Sequence, residues 1–304
     1  MGLSIYANFN ELIEAFAEYN WLLFPLILIL SLCNYVSRFF KWEYYTKVLN
    51  INIERKMSFL IFLSSFIMSV TPGKIGEIFK SYLLKEQYGT PISKSAPIVF
   101  AERITDFLSL VLLSIAGALI FGYGTGIIVG FGIFFISLVF VISSKNLSHL
   151  IIEFFEKFRF VSRVSHKVHT AYDSIYQMVR FKELFVTIIL SIIAWAFECF
   201  SFYLIINGFG IGNFEHVNIF VATFVYGFAT LVGAATMLPG GLGATDASMT
   251  GLLIILNIPK SVSVASTLII RAATLWFAVL VGIAAVLYYQ KISHKKINEI
   301  VLES

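Results

Sequence analysis

The chain has 304 residues, of which 58% are hydrophobic and only 13% are charged, and its formal net charge is +4. A soluble domain carries about 25% charged residues, so composition excludes an ordinary soluble globular protein. The sequence has no dense basic run or nucleic-acid-binding motif, so a nucleic-acid partner is not expected.

Five apolar runs have about 20 residues or more, the length that an α-helix needs to cross the hydrocarbon core of a bilayer. They cover residues 21–40, 95–121, 125–143, 184–206 and 261–289. The start of the chain does not look like a signal peptide, because Glu11, Glu14 and Glu18 replace the usual basic residues. The predicted fold class is therefore an all-α, polytopic integral membrane protein.

The basic residues between these runs predict their orientation, since short loops rich in Lys and Arg remain in the cytoplasm. Segment 145–183 is rich in Lys and Arg and should be cytoplasmic, and so should the loop after the first run, which carries Arg38, Lys41, Lys47, Arg55 and Lys56. The turns near 122–126 and 208–216 have at most one charge and should lie outside. The prediction is a multi-pass protein of the cell membrane with its N-terminus outside and its C-terminus in the cytoplasm.

Two further apolar segments must each begin and end on the same side of the membrane, because the loop charges place both of their ends there. Residues 57–90 should do so in the cytoplasm, and residues 57–71 would form a helix only about 22 Å long. We therefore predict a re-entrant hairpin that breaks at Pro72 and Gly73. Residues 217–258 should form an outside hairpin that breaks at Pro239, although its first arm is also long enough for a full crossing.

The two breaks are similar in sequence. Residues 71–77 read TPGKIGE, and residues 238–246 read LPGGLGATD. A second proline follows after 19 and 20 residues, at Pro91 and Pro259, and an arginine follows 12 residues later, at Arg103 and Arg271. Paired interruptions of this kind are typical of transporters built from repeats. Motif spacing and loop charge together predict an inverted repeat, with repeat one at about 21–121, a linking span and amphipathic cytoplasmic segment at 125–183, and repeat two at about 184–290.

A helix interrupted inside a membrane exposes backbone N–H groups, so the break must line protein or water. A helix that begins after each break would direct its positive end inward, and glycines there would let an anion approach closely. The alternative is that the breaks are kinks that serve packing alone. The candidate residues of the breaks are Pro72, Gly73, Gly76, Glu77, Pro239, Gly240, Gly241, Gly243 and Asp246.

Charged residues complete the candidate site. Glu77 and Asp246 either cap their own helices or carry a proton or cation during transport. Arg103 and Asp106 are i,i+3 neighbours, which predicts a local ion pair. Arg271 has no carboxylate in its own span, so it requires a distant partner, a carbonyl or an anionic ligand.

The sequence lacks the motifs of several enzyme classes. It has neither a Walker A motif nor H-E-x-x-H, so we expect no nucleotide or metal cofactor. Glu198, inside the run 184–206, is a weaker candidate for a functional carboxylate.

These motifs resemble those of the flippase-like membrane domain of the lysylphosphatidylglycerol synthase family. The resemblance covers nearly the whole chain and rests mainly on residues 72–77, 102–106 and 239–243 and on Arg271. One departure is Asp246, where such proteins usually carry Glu. Larger relatives add a soluble aminoacyltransferase domain that this chain does not contain, so the resemblance implies lipid translocation and not lysyl transfer.

The combined hypothesis is a transporter or flippase for a phosphate-bearing lipid, whether a phospholipid, an aminoacyl-lipid or a polyprenyl-linked lipid. Its headgroup would pass between the hairpins and meet Arg103 and Arg271. One alternative is a non-transporting scaffold for an enzyme of lipid or cell-envelope synthesis, and another is an intramembrane enzyme that uses Glu77 and Asp246 as acid and base. The expected partners are membrane lipids with anionic headgroups and a separate lipid-modifying enzyme.

Overall fold

The computed structural model describes residues 9–122, 124–148, 165–210 and 217–293. This part of the chain is helical and contains no β-strand. Its α-helices are α1 (Phe9–Glu18), α2 (Phe24–Val48), α3 (Arg55–Ser64), α4 (Phe79–Tyr88), α5 (Ile92–Ser95), α6 (Pro97–Phe121), α7 (Thr125–Ser143), α8 (Ser165–Met178), α9 (Phe181–Asn207), α10 (Ile219–Ala235), α11 (Ala244–Ile255), α12 (Lys260–Arg271) and α13 (Phe277–Ser293). Short 3₁₀ helices cover Trp21–Leu23, Ser65–Met68, Pro72–Ile78 and Pro239–Gly241, and a π-helical turn covers Ala272–Trp276.

The five predicted spans are confirmed as helices long and apolar enough to cross a membrane. Their bounds are Trp21–Val48, Ile92–Ile120, Thr125–Ser143, Phe181–Asn207 and Lys260–Ile292. The chain is thus an all-α, polytopic membrane protein.

The first span is longer than predicted from the sequence, and its end corrects the assignment of three basic residues. Arg38, Lys41 and Lys47 lie inside α2, not in the loop that follows. The Lys41 side chain is only 1% exposed, because a carboxylate on another helix neutralises it inside the bundle. Of the five basic residues assigned to the loop, only Arg55 and Lys56 follow the end of α2.

The two interrupted segments begin with helices of different length. Helix α3 has 10 residues and α10 has 17, which correspond to about 15 and 26 Å at 1.5 Å per residue. Since a membrane-spanning helix has roughly 17–25 residues, α3 is well short of a crossing and α10 is at the lower limit of this range.

The helices pack in a reciprocal pattern. Helices α2 and α9, the first spans of the two predicted repeats, pack against each other. Helix α10 of the second interrupted segment packs against α6, and α3 of the first packs against α13. Each interrupted segment therefore contacts the last span of the other predicted repeat, so the two parts of the chain are interlocked.

The segment after α7 was predicted to be amphipathic and cytoplasmic. Residues 149–164 lie outside the described residues, and α8 forms the part that follows. Helix α8 packs against α5 and α6 and buries Tyr172, Ser174 and Met178. This part of the segment is thus a helix packed on the bundle.

Glycines allow the interlocked helices to approach closely, as small residues commonly do in membrane bundles. A Cβ atom at Gly117 of α6 would clash with the Phe220 carbonyl oxygen and lie 2.6 Å from Phe224 Cβ on α10. We expect Gly117→Ala to destabilise the protein by about 1–3 kcal/mol through overpacking, measured as a lower midpoint of thermal unfolding in detergent. Gly130→Ala on α7 is the matched control, because a Cβ there meets no atom within 4 Å. Equal midpoints for the two variants would show that the contact between α6 and α10 is loose.

Candidate functional site

The two Pro-Gly breaks contact each other. The 3₁₀ helix Pro72–Ile78 packs against Pro239–Gly241, and a Cβ at Gly240 would lie 3.5 Å from Val70 Cα. The prediction that a helix begins directly after each break is wrong for the first. The chain there forms a 3₁₀ helix, and the α-helix begins only at Phe79.

The second break is a sharper turn. Gly240, Gly241 and Gly243 have φ angles of 60°, 66° and 86°, which favour glycine over other residues. Helix α11 begins at Ala244, and the Gly243 N–H donates a hydrogen bond of 2.9 Å to the Asp246 carboxylate. Asp246 therefore caps its own helix, one of the two roles that the sequence analysis left open.

Each break is tied by its carboxylate to the arginine of the long helix that follows. Arg103 Nη2 lies 3.2 Å from Glu77 Oε2, and Arg271 Nε lies 2.9 Å from Asp246 Oδ1. Arg271 Nη2 also donates a hydrogen bond of 2.6 Å to the Gly240 carbonyl oxygen. The partner that Arg271 requires is thus supplied within the chain, by both the carboxylate and a backbone carbonyl of the second break.

The first pair belongs to a larger cluster of charges around Asp106. The predicted ion pair between Arg103 and Asp106 is present, with Nη2 and Oδ2 3.1 Å apart. Lys41 Nζ lies 2.5 Å from Asp106 Oδ1 and donates a hydrogen bond of 2.7 Å to the Ser191 hydroxyl. Arg38 is held more loosely, with Nη2 3.8 Å from Glu77 and 4.0 Å from Asp106.

A second buried ion pair involves Glu102, the residue before Arg103 on α6. Lys80 Nζ lies 2.5 Å from Glu102 Oε2 and 4.6 Å from the centre of the Trp42 ring. Both charged side chains are almost completely buried. The two charges neutralise each other and the pair joins α4 to α6, so we regard it as structural.

A cavity of about 230 Å³ lies between the two predicted repeats, next to the second break. Its wall includes three arginines from three helices, Arg38 on α2, Arg103 on α6 and Arg271 on α12. Their side chains keep 13–15% exposure, whereas those of Lys41 and Lys80 keep 1%. The arginines therefore still reach open space, and the lysines do not.

The remaining wall combines aromatic and polar groups. Tyr226 on α10 donates a hydrogen bond of 2.5 Å to Glu198 on α9, and both line the cavity with Tyr35, Trp195 and Thr230. The sequence analysis missed all of these except Glu198. Arg38 was also not predicted as a site residue. The absence of Pro and Gly from residues 39–48 could have indicated that the first span continues past this arginine.

The structure divides the predicted site residues into groups. Glu77 and Asp246 pair with arginines of the cavity wall, and Pro72 and Gly73 begin the first 3₁₀ helix. Gly76 packs inside its own hairpin, because a Cβ there would lie 2.6 Å from both Met68 Cβ and Thr71 Oγ1. The predicted residues that line the cavity are Arg103, Asp106, Gly240, Gly241 and Arg271, together with the weaker candidate Glu198.

Lys41 offers a test of the charge cluster. Lys41→Met should destabilise the fold by about 3–5 kcal/mol, because it removes the closest cation from the buried Asp106. Lys47→Met, an exposed position on the same helix, should leave the thermal midpoint in detergent unchanged. A midpoint for Lys41→Met equal to that of Lys47→Met would mean that the two arginines alone hold Asp106.

Comparison with known proteins places the chain among membrane proteins of related sequence. It is 25% identical over 318 residues to a UPF0104 membrane protein of Methanocaldococcus jannaschii, covering 97% of this chain and 93% of the relative. It is 24% identical over 286 residues to a UPF0104 membrane protein of Methanothermobacter thermautotrophicus, covering 86% of this chain and 83% of the relative. The family model that describes the lysylphosphatidylglycerol synthase TM region matches residues 1–282. The chain therefore belongs to the family of the lysylphosphatidylglycerol synthase transmembrane region.

Proposed function

We propose that this protein moves a phosphate-bearing lipid across the cell membrane. The observation that carries the proposal is the convergence of Arg38, Arg103 and Arg271 on one cavity beside the contact between the two breaks. Arginine is the side chain best suited to phosphate, because its planar guanidinium can donate two parallel hydrogen bonds to two oxygens. Membership of this membrane-region family fits a lipid-related role.

The size of the cavity favours a headgroup and not a whole lipid. A volume of about 230 Å³ lies below the roughly 300–1,000 Å³ of pockets that enclose drug-sized ligands. It has room for a phosphate and a few further atoms. The hydrocarbon chains would remain in the bilayer while the headgroup crosses through the protein.

The reciprocal packing supports an inverted repeat in which the hairpins are re-entrant. Two copies related by a two-fold axis in the membrane plane would exchange contacts as α10 with α6 and α3 with α13 do. They would also repeat the pairing of a break carboxylate with a later arginine. Each hairpin would then gate one side of the same central site, as in other transporters built from inverted repeats.

Translocation can be measured with the purified full chain in vesicles of phosphatidylcholine and phosphatidylglycerol that contain tail-labelled fluorescent phosphatidylglycerol. Dithionite quenches only label that reaches the outer leaflet. Vesicles with the protein should lose almost all fluorescence, and protein-free vesicles only the outer-leaflet part. Arg38→Gln should slow the loss, since its loose ion pairs leave Arg38 free for a ligand, and the exposed Arg55→Gln should not. No acceleration by the wild type would favour the scaffold function.

The proposed orientation has its own test. Single cysteines in a background without Cys33 and Cys199 should react with an impermeant maleimide from the cytoplasm at Lys85 and Lys296, and from outside at Gly124 and Asn257. Asn257 follows α11 and marks the far end of the second hairpin. Labelling of Asn257 from the cytoplasm alone would contradict the inverted repeat.

A further inference from the structure

Three buried N–H donors in the wall of the cavity have no hydrogen-bond acceptor among the described residues. They are Nε of Arg103 on α6, Nε of Arg271 on α12 and the indole Nε1 of Trp195 on α9. Arg271 Nε lies 2.9 Å from an Asp246 oxygen, but these two atoms do not form a hydrogen bond. Buried donors are normally paired, so three unmatched donors around one cavity indicate a ligand that is rich in acceptor oxygens.

The indole of Trp195 differs from the two arginines because it is a neutral donor. Trp195 is only 6% exposed, and an indole N–H can donate a hydrogen bond but accept none. The arginines are suited to charged phosphate oxygens, whereas a neutral donor is matched by a neutral acceptor such as a hydroxyl oxygen. A buried N–H without an acceptor lowers stability, and a hydroxyl of the bound headgroup would remove this penalty.

The neighbours of Trp195 can accept the hydrogen of such a hydroxyl. The centre of the Tyr226 ring lies 6.4 Å from that of Trp195, and Thr230 lies about one turn further along α10. Both residues line the cavity. The Tyr226 hydroxyl donates to Glu198, and the Thr230 hydroxyl donates to the Tyr226 carbonyl oxygen. Because each hydroxyl uses its own hydrogen in this way, its oxygen can serve a ligand as an acceptor.

We propose that Trp195 selects lipids whose phosphate carries a hydroxyl-bearing headgroup, such as a glycerol or a sugar. The headgroup hydroxyl accepts a hydrogen bond from the Trp195 indole and donates one to the hydroxyl oxygen of Tyr226 or Thr230. An ammonium group cannot replace it, because an ammonium only donates hydrogen bonds and would leave the indole N–H without an acceptor. This inference rests on the proposed function, because it takes the arginines to hold the lipid phosphate. It adds the class of headgroup and the residue that selects it.

Two short-chain lipids of equal charge separate the hydroxyl from the phosphate. Dioctanoyl phosphatidylglycerol and dioctanoyl phosphatidylpropanol share the same phosphodiester and the same carbon skeleton in the headgroup, but only the first has headgroup hydroxyls. Each is titrated by calorimetry into the detergent-purified full chain. We expect phosphatidylglycerol to bind about threefold to tenfold more tightly, which is the effect of one hydrogen bond. Glycerol phosphate, which has the same groups without acyl chains, should bind more weakly than phosphatidylglycerol.

Two variants assign the preference to the indole N–H. Trp195→Phe removes this donor and keeps an aromatic ring at the position. It should lower the affinity for phosphatidylglycerol to that for phosphatidylpropanol and leave the latter unchanged, whereas a variant that merely loosened the packing would weaken the binding of both lipids. Trp276→Phe is the matched control, because Trp276 is 48% exposed and lies outside the cavity wall. It should keep the preference of the wild type.

The proposal would be overturned by equal affinities of the wild type for the two lipids, by no binding of either, or by an undiminished preference in Trp195→Phe. Tighter binding of dioctanoyl phosphatidylethanolamine or of glycerol phosphate than of phosphatidylglycerol would also overturn it. The wild-type titrations alone decide if the Phe variant does not fold. A preference for the hydroxyl without translocation in vesicles would refute the transport function alone, whereas translocation without this preference would refute only the selection by Trp195.

Discussion

Replacing Arg271 with Gln should almost abolish lipid translocation and also destabilise the second break. Arg271 holds the Asp246 carboxylate and the Gly240 carbonyl oxygen, so its removal leaves a carboxylate without its cation, at a cost of about 3–5 kcal/mol when such a group is buried. The lost hydrogen bond to a lipid phosphate, about 1.5–3 kcal/mol, corresponds to a roughly tenfold to hundredfold weaker affinity. Dithionite quenching in vesicles measures the first effect, and thermal unfolding in detergent measures the second.

A double variant separates the two roles of Arg271. Arg271→Gln with Asp246→Asn leaves no unbalanced charge, and Asn can still accept the hydrogen bond from the Gly243 N–H. It should therefore recover much of the lost stability but not the translocation. Arg271→Lys should recover part of the translocation, because a point charge replaces a guanidinium that binds through two donors. Translocation at the wild-type rate by the double variant would make Arg271 purely structural.

Gly241→Ala should distort the second break and stop translocation while the protein still inserts into the membrane. Gly241 has a φ of 66°, which costs an L-residue roughly 1–2 kcal/mol. A Cβ there would also lie 2.5 Å from Thr245 Oγ1 and 3.6 Å from Gly233 Cα. The new methyl group would displace the Thr245 side chain, which also lines the cavity, and so change the cavity wall. Membrane-fraction yield and the quenching assay measure the two effects.

Two other glycines separate backbone strain from steric contact. Gly243→Ala has the strain of a φ of 86° but meets no atom within 4 Å, so it should be destabilising with less loss of translocation than Gly241→Ala. Gly251→Ala, in open space on helix α11, should be neutral or stabilising, because alanine favours helix by about 1 kcal/mol over glycine. Equal translocation in all three variants would reduce the second break to a packing device.

The spans and the breaks could be predicted because each depends on local sequence. An apolar run of about 20 residues indicates a membrane helix whatever its neighbours are, and Pro and Gly end helices through their own backbone geometry. The matched spacing of Arg103 and Arg271 after the breaks indicated related roles, and the structure pairs each with the carboxylate of its own break.

The rest of the site depends on contacts between distant residues. Arg38 and Lys41 were assigned to a loop because a basic residue usually ends a span. Asp106, more than 60 residues away, allows Lys41 to be buried and Arg38 to lie in the cavity wall. The hydrogen bond between Tyr226 and Glu198 joins two spans whose register no local pattern reveals. The sequence predicted a helix directly after Pro72 and Gly73, but residues 72–78 form a 3₁₀ helix and the α-helix begins at Phe79.

We propose that lipid headgroups pass through the cavity beside the second break. Thr230 lines this cavity, so Thr230→Cys in a background without Cys33 and Cys199 can be modified with a bulky charged methanethiosulfonate reagent. Complete modification should stop translocation, and modification of Ile133→Cys, on the exposed face of α7, should not. An unchanged rate of translocation after complete modification of Thr230→Cys would contradict this proposal.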